Sequence, residues 1–271
     1  MLNSKPRLDA PLFKTLGLIG IIGALMILVI GLQQPKVKTL TREKILERDY
    51  QKENRVEQLQ VELLKNLPAF GFDNMLANWA LLQFIQYYGD VDARKQTNYN
   101  LSPDFLQAVV KNDPKFTRAY MLMSIASSVN AGKPERTIAI TNEGLKKLTP
   151  DIPDAYYVWL YKGVDELLFM GDIEAAKHSN EMAAEWAKIA GDSFIEKSAR
   201  GTVHFLSTNP DSRAARVGAW LLVWANSQNE ETRKLAAENI EKLGGKLVVE
   251  GNKLIAIPPK DSVSGGKSGG K

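Results

Sequence analysis

The chain has 271 residues, a formal charge of +4 and no cysteine. Without cysteine it can form no disulfide, no zinc-thiolate site and no thiol-based active site. Residues 1–14 and 260–271 each carry a net charge of +2, which leaves the segment between them neutral. Because a nucleic-acid-binding domain carries its basic excess on the folded part, this distribution predicts that nucleic acid is not a partner.

The longest apolar run lies near the N-terminus, at residues 16–32, and contains no charged residue and no proline. Together with the residues that flank it, this run is long enough to cross a bilayer as one helix. We therefore predict a transmembrane helix over residues 12–34, with the lipid bilayer as its partner, behind a short N-terminal tail, residues 1–11. A cleavable signal peptide is the main alternative, but its apolar core is usually shorter and ends at a site of small residues.

Basic residues flank both ends of the predicted transmembrane helix. They are Lys5, Arg7 and Lys14 before it, and Lys36, Lys38, Arg42 and Lys44 after it. The positive-inside rule weighs such residues near the ends of a span, so the slight excess after the helix favours a cytoplasmic C-terminal domain.

Residues 36–67 predict a helical stalk. The second half of this segment has leucine and valine at helical spacing, while its first half is charged on nearly all sides. A coiled coil would need apolar positions over several heptads, and Asp49 and Lys52 interrupt the best register. We expect a solvated helix whose last turns pack on the following domain and which ends at Pro68.

Residues 74–88 contain no charged side chain. Apolar residues cover nearly every angle of the predicted helix, which is typical of a helix buried at the centre of a domain. Asn78 and Gln86 interrupt this pattern, and buried carboxamides need hydrogen-bond partners. Two interpretations stay open: the carboxamides contact a ligand or partner, or neighbouring backbone satisfies them inside a helical stack.

The polar stretch of residues 91–101 predicts a loop. The helices predicted beyond it are punctuated by glycine and proline, first at Gly132 and Pro134 and then at Gly171. Gly132 and Gly171 are 39 residues apart. Three segments resemble one another in this punctuation: residues 130–137, 170–176 and 226–232. Such internal similarity indicates a repeat architecture built from helix pairs.

The clearest repeat is residues 155–187. This unit resembles the tetratricopeptide repeat family in the positions of its small and large residues. The matching positions are Trp159 or Leu160, Gly171 with Asp172, Ala176 and Ala183. In that family two antiparallel helices meet at a Gly-Asp-like turn; Gly163, Val164 and Asn180 depart from its pattern. The resemblance covers about residues 103–245. It implies an all-α fold, an antiparallel helix-pair repeat stack like a tetratricopeptide solenoid, over residues 68–245.

Two stretches, residues 71–90 and 161–172, are also similar to membrane-anchored repeat proteins of cyanobacteria that have no assigned activity. Some anchored tetratricopeptide proteins in those organisms assist photosystem assembly. The resemblance implies a single-pass protein of a bacterial inner membrane or of the thylakoid membrane.

The C-terminal part changes from a helical to an alternating pattern. Before the change, residues 192–206 predict an additional helix, and Trp220 and Trp224 are expected to pack in the core. Two β-branched runs on either side of Gly251 then predict a β-hairpin over residues 246–259. The Gly- and Ser-rich tail, residues 260–271, is predicted to be disordered.

The sequence shows no pattern that indicates catalysis. His178 and His204 lack the spacing of metal ligands, so no metal site, cofactor site or catalytic residue is predicted. Lys162, Asp165 and Glu166 could support acid–base chemistry. An ion pair along the helix, on a concave binding face, explains them more simply. The predicted partner-binding residues are Trp159, Lys162, Asp165, Glu166, Asn78 and Gln86.

We therefore predict a protein that is not an enzyme. It would be a membrane-anchored helical-repeat scaffold or assembly factor that binds a protein of a membrane complex, since repeat stacks offer concave surfaces for another protein's segment. Two alternatives stay open at this stage. The chain could be a permanent structural subunit of a membrane complex, or an enzyme whose site one sequence does not reveal.

Overall fold

The structure is a computed structural model that describes residues 20–34, 48–208, 210–227, 229–250 and 253–260. The chain divides into two units, residues 1–49 and residues 50–271. The predicted N-terminal tail, the first part of the predicted stalk and the predicted disordered tail beyond Lys260 lie outside the described residues.

In the N-terminal unit, residues 20–34 form helix α1. Its apolar side chains are exposed, with Ile27 at 73% and Leu32 at 70%. The predicted transmembrane segment, residues 12–34, is described only from residue 20 onward. No helix within the described part of the chain combines the length and the apolar character that a membrane span requires.

The second unit is almost entirely helical, as the sequence predicts. Its helices are α2 (Tyr50–Asn66), α3 (Asp73–Gly89), α4 (Val91–Thr97), α5 (Ser102–Asn112), α6 (Thr117–Met123), α7 (Pro134–Leu145), α8 (Ala155–Asp165), α9 (Ile173–Ala190), α10 (Ser193–Leu206), α11 (Arg213–Asn226) and α12 (Glu230–Lys242). Two of them continue as wider π-helical turns, α6 through Ser124–Val129 and α8 through Glu166–Met170. The main core contains buried side chains of α2, α3, α5, α6, α8 and α9.

The predicted helix pairs on either side of Gly132 and Gly171 are present. Gly171 has φ +71°, a conformation that side chains disfavour, and a Cβ there would lie 2.3 Å from the Arg216 guanidinium. Asp172 then caps α9 by accepting a hydrogen bond from the Ala175 amide at 2.9 Å. The predicted turn therefore depends on the positive φ of Gly171 and on the cap that Asp172 provides for α9.

Three helices contain the same buried dipeptide, an alanine followed by a large aromatic residue, in the first turn of two of them and in the middle of the third. The pairs are Ala119–Tyr120 in α6, Ala155–Tyr156 in α8 and Ala219–Trp220 in α11. The alanine allows a neighbouring helix to approach closely, and the ring fills the core beside it. This pairing of a small residue with a large ring in the core therefore occurs at three places in the described chain.

The stretch of residues 91–101, predicted as a loop, contains helix α4, so that prediction was wrong. Asp90 caps the helix by accepting a hydrogen bond from the Ala93 amide at 3.1 Å. Arg94 is buried, lies 3.7 Å from the ring centroid of Tyr87 and pairs with Glu57 of α2 at 2.8 Å. These contacts with α2 and α3 hold a polar heptapeptide in a helix that its composition alone would not predict.

Helix α3 was expected to be buried at the centre of the domain, but only one side of it is buried. Ala77, Ala80, Phe84 and Tyr87 face the core. The opposite side is equally apolar but exposed, which explains why the sequence gives no amphipathic signal.

The predicted C-terminal hairpin is confirmed. Strands β1 (Lys246–Glu250) and β2 (Lys253–Ile257) pair antiparallel, with Lys246 opposite Ile257. Leu247 and Ala256 pack on a second, smaller core around α11 and α12. Trp220 is buried there, as predicted, whereas Trp224 is half-buried under the Arg233 guanidinium, 4.6 Å from its ring centroid.

Candidate functional site

Three of the predicted partner-binding residues lie inside the domain. Lys162 is 8% exposed, Asp165 1% and Glu166 4%, all three between α8 and its neighbours α6 and α9. Their expected position on an open concave face is therefore wrong. Charged side chains are buried in this way only when partners compensate them.

Lys162 and Glu166 compensate each other. The Lys162 ammonium donates a hydrogen bond to Glu166 Oε1, as the predicted ion pair requires, and a second to Ser179 Oγ of α9 at 3.0 Å. The Ser179 hydroxyl donates to the other Glu166 oxygen at 2.6 Å. The three side chains form a closed network that joins α8 to α9.

Asp165 joins α8 to α6. The Ser124 hydroxyl donates to Asp165 Oδ1 at 2.9 Å. Burial raises the pKa of the Asp165 carboxyl to about 7, since the Ser124 and Ser128 hydroxyls offset only part of the desolvation and the charge of Glu166 adds to the shift. Asp165 Oδ2 is buried and has no hydrogen-bond partner among the described residues. The contact lies where both helices widen into π-helical turns.

Trp159 also faces the interior of the helix pair. Its ring packs edge-on against Trp186 of α9 at 5.8 Å, and a second edge contact reaches His178 at 5.9 Å. The Lys162 ammonium lies 5.4 Å from the same ring. These contacts account for Trp159 as packing between α8 and α9.

The opposite side of α8 forms an open groove with α6. Two contacts show that the helices run side by side in the same direction. Near their starts, Thr117 Oγ1 donates to the Pro153 carbonyl at 3.3 Å, and further along Ser124 contacts Asp165. The groove has a volume of about 600 Å³. We call it the α6–α8 groove; it is lined by Arg118, Met121, Leu122, Ile125, Asp154, Tyr157 and Tyr161.

The α6–α8 groove is apolar along most of its length. Leu122 is 39% exposed and Ile125 is 50% exposed, although both residue types are usually buried. Among the described residues, neither Tyr157 nor Tyr161 has a hydrogen-bond partner for its hydroxyl. The volume lies within the roughly 300–1,000 Å³ typical of binding sites, and tyrosines are frequent anchors of protein interfaces.

Opposite charges lie at the N-terminal end of the groove. Arg118 is the second residue of α6, and Asp154 directly precedes α8 with φ +63°. A segment bound along the groove would therefore meet a cation and a carboxylate at one end and apolar side chains at the other. This asymmetry can define the direction in which a segment binds.

The sequence contains a pattern of spacing that corresponds to the groove. Asp154, Tyr157 and Tyr161 recur at helical spacing, as do Arg118, Leu122 and Ile125 on the neighbouring helix. Since α8 is apolar on both sides, spacing alone could not show which side packs on α9 and which stays open.

The two remaining predicted residues, Asn78 and Gln86, lie on the exposed side of α3. The other side chains there are apolar. We call this surface the α3 face; its residues are Phe72, Met75, Asn78, Trp79, Leu82, Ile85 and Gln86. The structure thus separates the predicted site residues into a buried network on α8 and an open surface on α3.

Comparison with family models, with curated proteins and with solved structures found no match. No group of three or more metal-ligating side chains is placed to hold a metal ion in the described part of the chain.

Proposed function

We propose that this chain is a membrane-anchored helical-repeat scaffold or assembly factor that holds an apolar segment of a protein partner in the α6–α8 groove. The observation that carries the proposal is the groove itself. It lies between two parallel helices, has exposed aliphatic side chains along it, and is lined by the half-buried rings of Tyr157 and Tyr161.

The arrangement of α6 and α8 supports the repeat interpretation. Each is the first helix of a helix pair, each has a buried alanine and aromatic residue in its first turn, and the two lie side by side. In repeat stacks the first helices of successive pairs line one continuous surface, which is where such proteins bind extended or helical segments.

The size of the groove limits the partner segment. From Arg118 to Ile125 the α6 side extends over two helical turns, about 11 Å. A segment of that length presents two or three large apolar side chains. We expect one of them to pack between Tyr157 and Tyr161 and a polar group near the charged end to contact Arg118 or Asp154.

The predicted transmembrane helix, residues 12–34, supplies the second half of the proposal. An anchor confines the groove to the membrane surface and so raises its effective concentration for partners in the same membrane. A moderate affinity in the groove then suffices for function, which fits a small apolar site.

A photo-crosslinking amino acid at Leu122, incorporated into the full chain in native membranes, tests this proposal. We expect one adduct of defined mass. Tyr161→Ala should remove most of it, because losing an anchor costs about 2 kcal/mol, or roughly thirtyfold in affinity. Phe194→Ala is the matched control, since Phe194 of α10 is an aromatic residue that is 77% exposed outside the groove.

The proposal would be contradicted by two results. One is the absence of any adduct from Leu122 while a protein with intact helicity is present in the membrane. The other is an adduct whose yield Tyr161→Ala and Phe194→Ala change equally.

A further inference from the structure

The α3 face is a second surface, on a different helix from the groove. Its residues at positions 72, 75, 79, 82 and 86 alternate in steps of three and four, the spacing of a seam between two packed helices. Phe72 and Met75 are each 62% exposed, and Trp79, Leu82 and Ile85 are 54%, 53% and 54% exposed. Within one chain, no described element covers them.

The patch is comparable in area to the largest apolar patch of a typical single domain. A buried aromatic residue contributes about 150–250 Å², so Phe72 and Trp79, which are 62% and 54% exposed, together show roughly 170–290 Å². Met75, Leu82 and Ile85 add to this area. The largest apolar patch of a typical monomer is about 300–600 Å², and larger ones mark interaction sites.

The loop before α3 is a tight turn that exposes one more aromatic residue. Phe70 has φ +47°, in the left-handed region that a bulky side chain disfavours, and its ring is 85% exposed. Gly71 follows with φ +88°. The Phe72 amide donates a hydrogen bond to the Ala69 carbonyl at 2.8 Å, so the two positive φ values belong to a tight turn that leaves the Phe70 ring in solvent.

The chemistry of the α3 face distinguishes between possible occupants. Between Asp73 and Asp90 the helix carries no charged residue, so it offers no Lys or Arg to lipid headgroups. Asn78 and Gln86 lie among the apolar side chains, and burying carboxamides in lipid without hydrogen-bond partners costs free energy. A protein surface with matching carboxamides can satisfy them.

A second copy of the chain provides such a surface. We infer that two copies of this protein pair through their α3 faces, with Trp79, the middle position of the seam, at the symmetry axis. A two-fold interface places the same patch on both sides, so an uncharged patch meets its copy without like-charge repulsion. The carboxamides of one copy can then hydrogen-bond to those of the other.

The available area reaches the lower limit for a specific protein interface. Two α3 faces would bury roughly twice the exposed area of one, which brings the total to about 1,000 Å² or more. Since α3 contributes no residue to the α6–α8 groove, the pairing and the groove use different residues. A dimer would present two grooves on one membrane surface, an arrangement that the proposed function does not itself require.

Single cysteines test the pairing, and the absence of native cysteine makes every disulfide interpretable. We expect Trp79→Cys in the full chain to form a disulfide-linked dimer in native membranes under mild oxidation, because a middle position meets its own copy in either orientation. Lys188→Cys, on the exposed side of α9, should give no dimer above random collision.

The orientation follows from the ends of the seam. If the two α3 helices run parallel, Phe72→Cys and Gln86→Cys should each crosslink with themselves. If they run antiparallel, Phe72→Cys should crosslink only with Gln86→Cys on the other chain, since a disulfide needs Cα atoms about 4.4–6.8 Å apart.

Sedimentation of the full chain in mild detergent provides a second measurement. We expect a dimer whose dissociation constant rises roughly a hundredfold or more with Leu82→Glu, because the change buries two uncompensated carboxylates in one symmetric interface. Phe194→Glu, with unchanged helicity, should leave the dimer intact.

The inference fails if wild type sediments as a monomer and no α3 position crosslinks. It also fails if Trp79→Cys does not crosslink but is protected from an aqueous maleimide in membranes and reactive in detergent, which would assign the face to lipid. Failure at α3 leaves the groove crosslink at Leu122 unaffected, so the two proposals are tested separately.

Discussion

Replacing Asp165 by asparagine should make the domain more stable at neutral and alkaline pH. The carboxyl is 1% exposed, and burial raises its pKa from the ordinary 3.8 to about 7. Asparagine keeps the size of the side chain and an oxygen that can accept the hydrogen bond from Ser124, but it does not ionise. The substitution therefore isolates the cost of a buried negative charge from the cost of lost packing.

The sign and the magnitude follow from linkage. Below about pH 4 the folded and the unfolded chain both hold the proton on Asp165, and ionisation has no effect. As the pH rises towards 7, only the unfolded chain releases it, so the free energy of unfolding falls; above about pH 7 the loss levels off. The difference between 3.8 and about 7 corresponds to at most about 4 kcal/mol.

Urea unfolding of the full chain in mild detergent, followed by circular dichroism, measures this effect. We expect the stability difference between Asp165→Asn and wild type to grow by a few kcal/mol between pH 4.5 and pH 8. Asp92→Asn, whose side chain is 73% exposed beside Lys95, is the control and should change little. An unchanged pH profile in the Asp165→Asn variant would refute the reasoning.

Three further predictions concern the helix pair and the anchor. Lys162→Met should lower the free energy of unfolding by about 3–5 kcal/mol, because Glu166 is left buried without its cation, and adding Glu166→Leu should restore most of it in the same urea assay. Gly171→Ala and Gly191→Ala should each lower the melting temperature, because both glycines have positive φ and the Arg216 guanidinium beside Gly171 lies at the end of a flexible side chain that can move aside; an unchanged melting temperature in both variants would contradict this. Alkaline carbonate should leave the full chain in the membrane if residues 12–34 span it, and release would exclude the anchor.

Local signals in the sequence predicted the helix pairs and the hairpin. Gly171 and Asp172 fix a turn and a cap through their own backbone and side chain, so a short stretch contains the information. The hairpin depends on neighbouring residues in the same way, through two β-branched runs and a tight connection. Such features need no knowledge of the rest of the fold.

The faces of α8 and α3 could not be predicted because both helices are apolar on two sides. On α8, Trp159, Tyr157 and Tyr161 are all half-buried, yet Trp159 packs on α9 while the two tyrosines line the groove with α6, and nothing in the spacing distinguishes the two sets. On α3, Trp79 and Phe84 have the same apolar character, yet only Phe84 is buried. Which side is covered depends on the helices that arrive from elsewhere in the chain.

Buried charges were missed for a related reason. The sequence placed Lys162 and Glu166 on the surface because isolated charges avoid the interior. Their burial depends on Ser179, 13 residues beyond Glu166, and that contact exists only after α9 folds back on α8. Helix α4 has the same dependence, since Glu57 compensates the buried guanidinium of Arg94 from a distant helix.

Oxidative footprinting tests most directly whether a partner occupies the α6–α8 groove. Hydroxyl radicals applied to native membranes and to the purified full chain report the exposure of individual aromatic side chains. We predict that Tyr157 and Tyr161 are oxidised several-fold more slowly in native membranes than after purification, while exposed Phe194 reacts equally in both. Equal oxidation of the two tyrosines in both samples would contradict the proposal that the groove holds a partner.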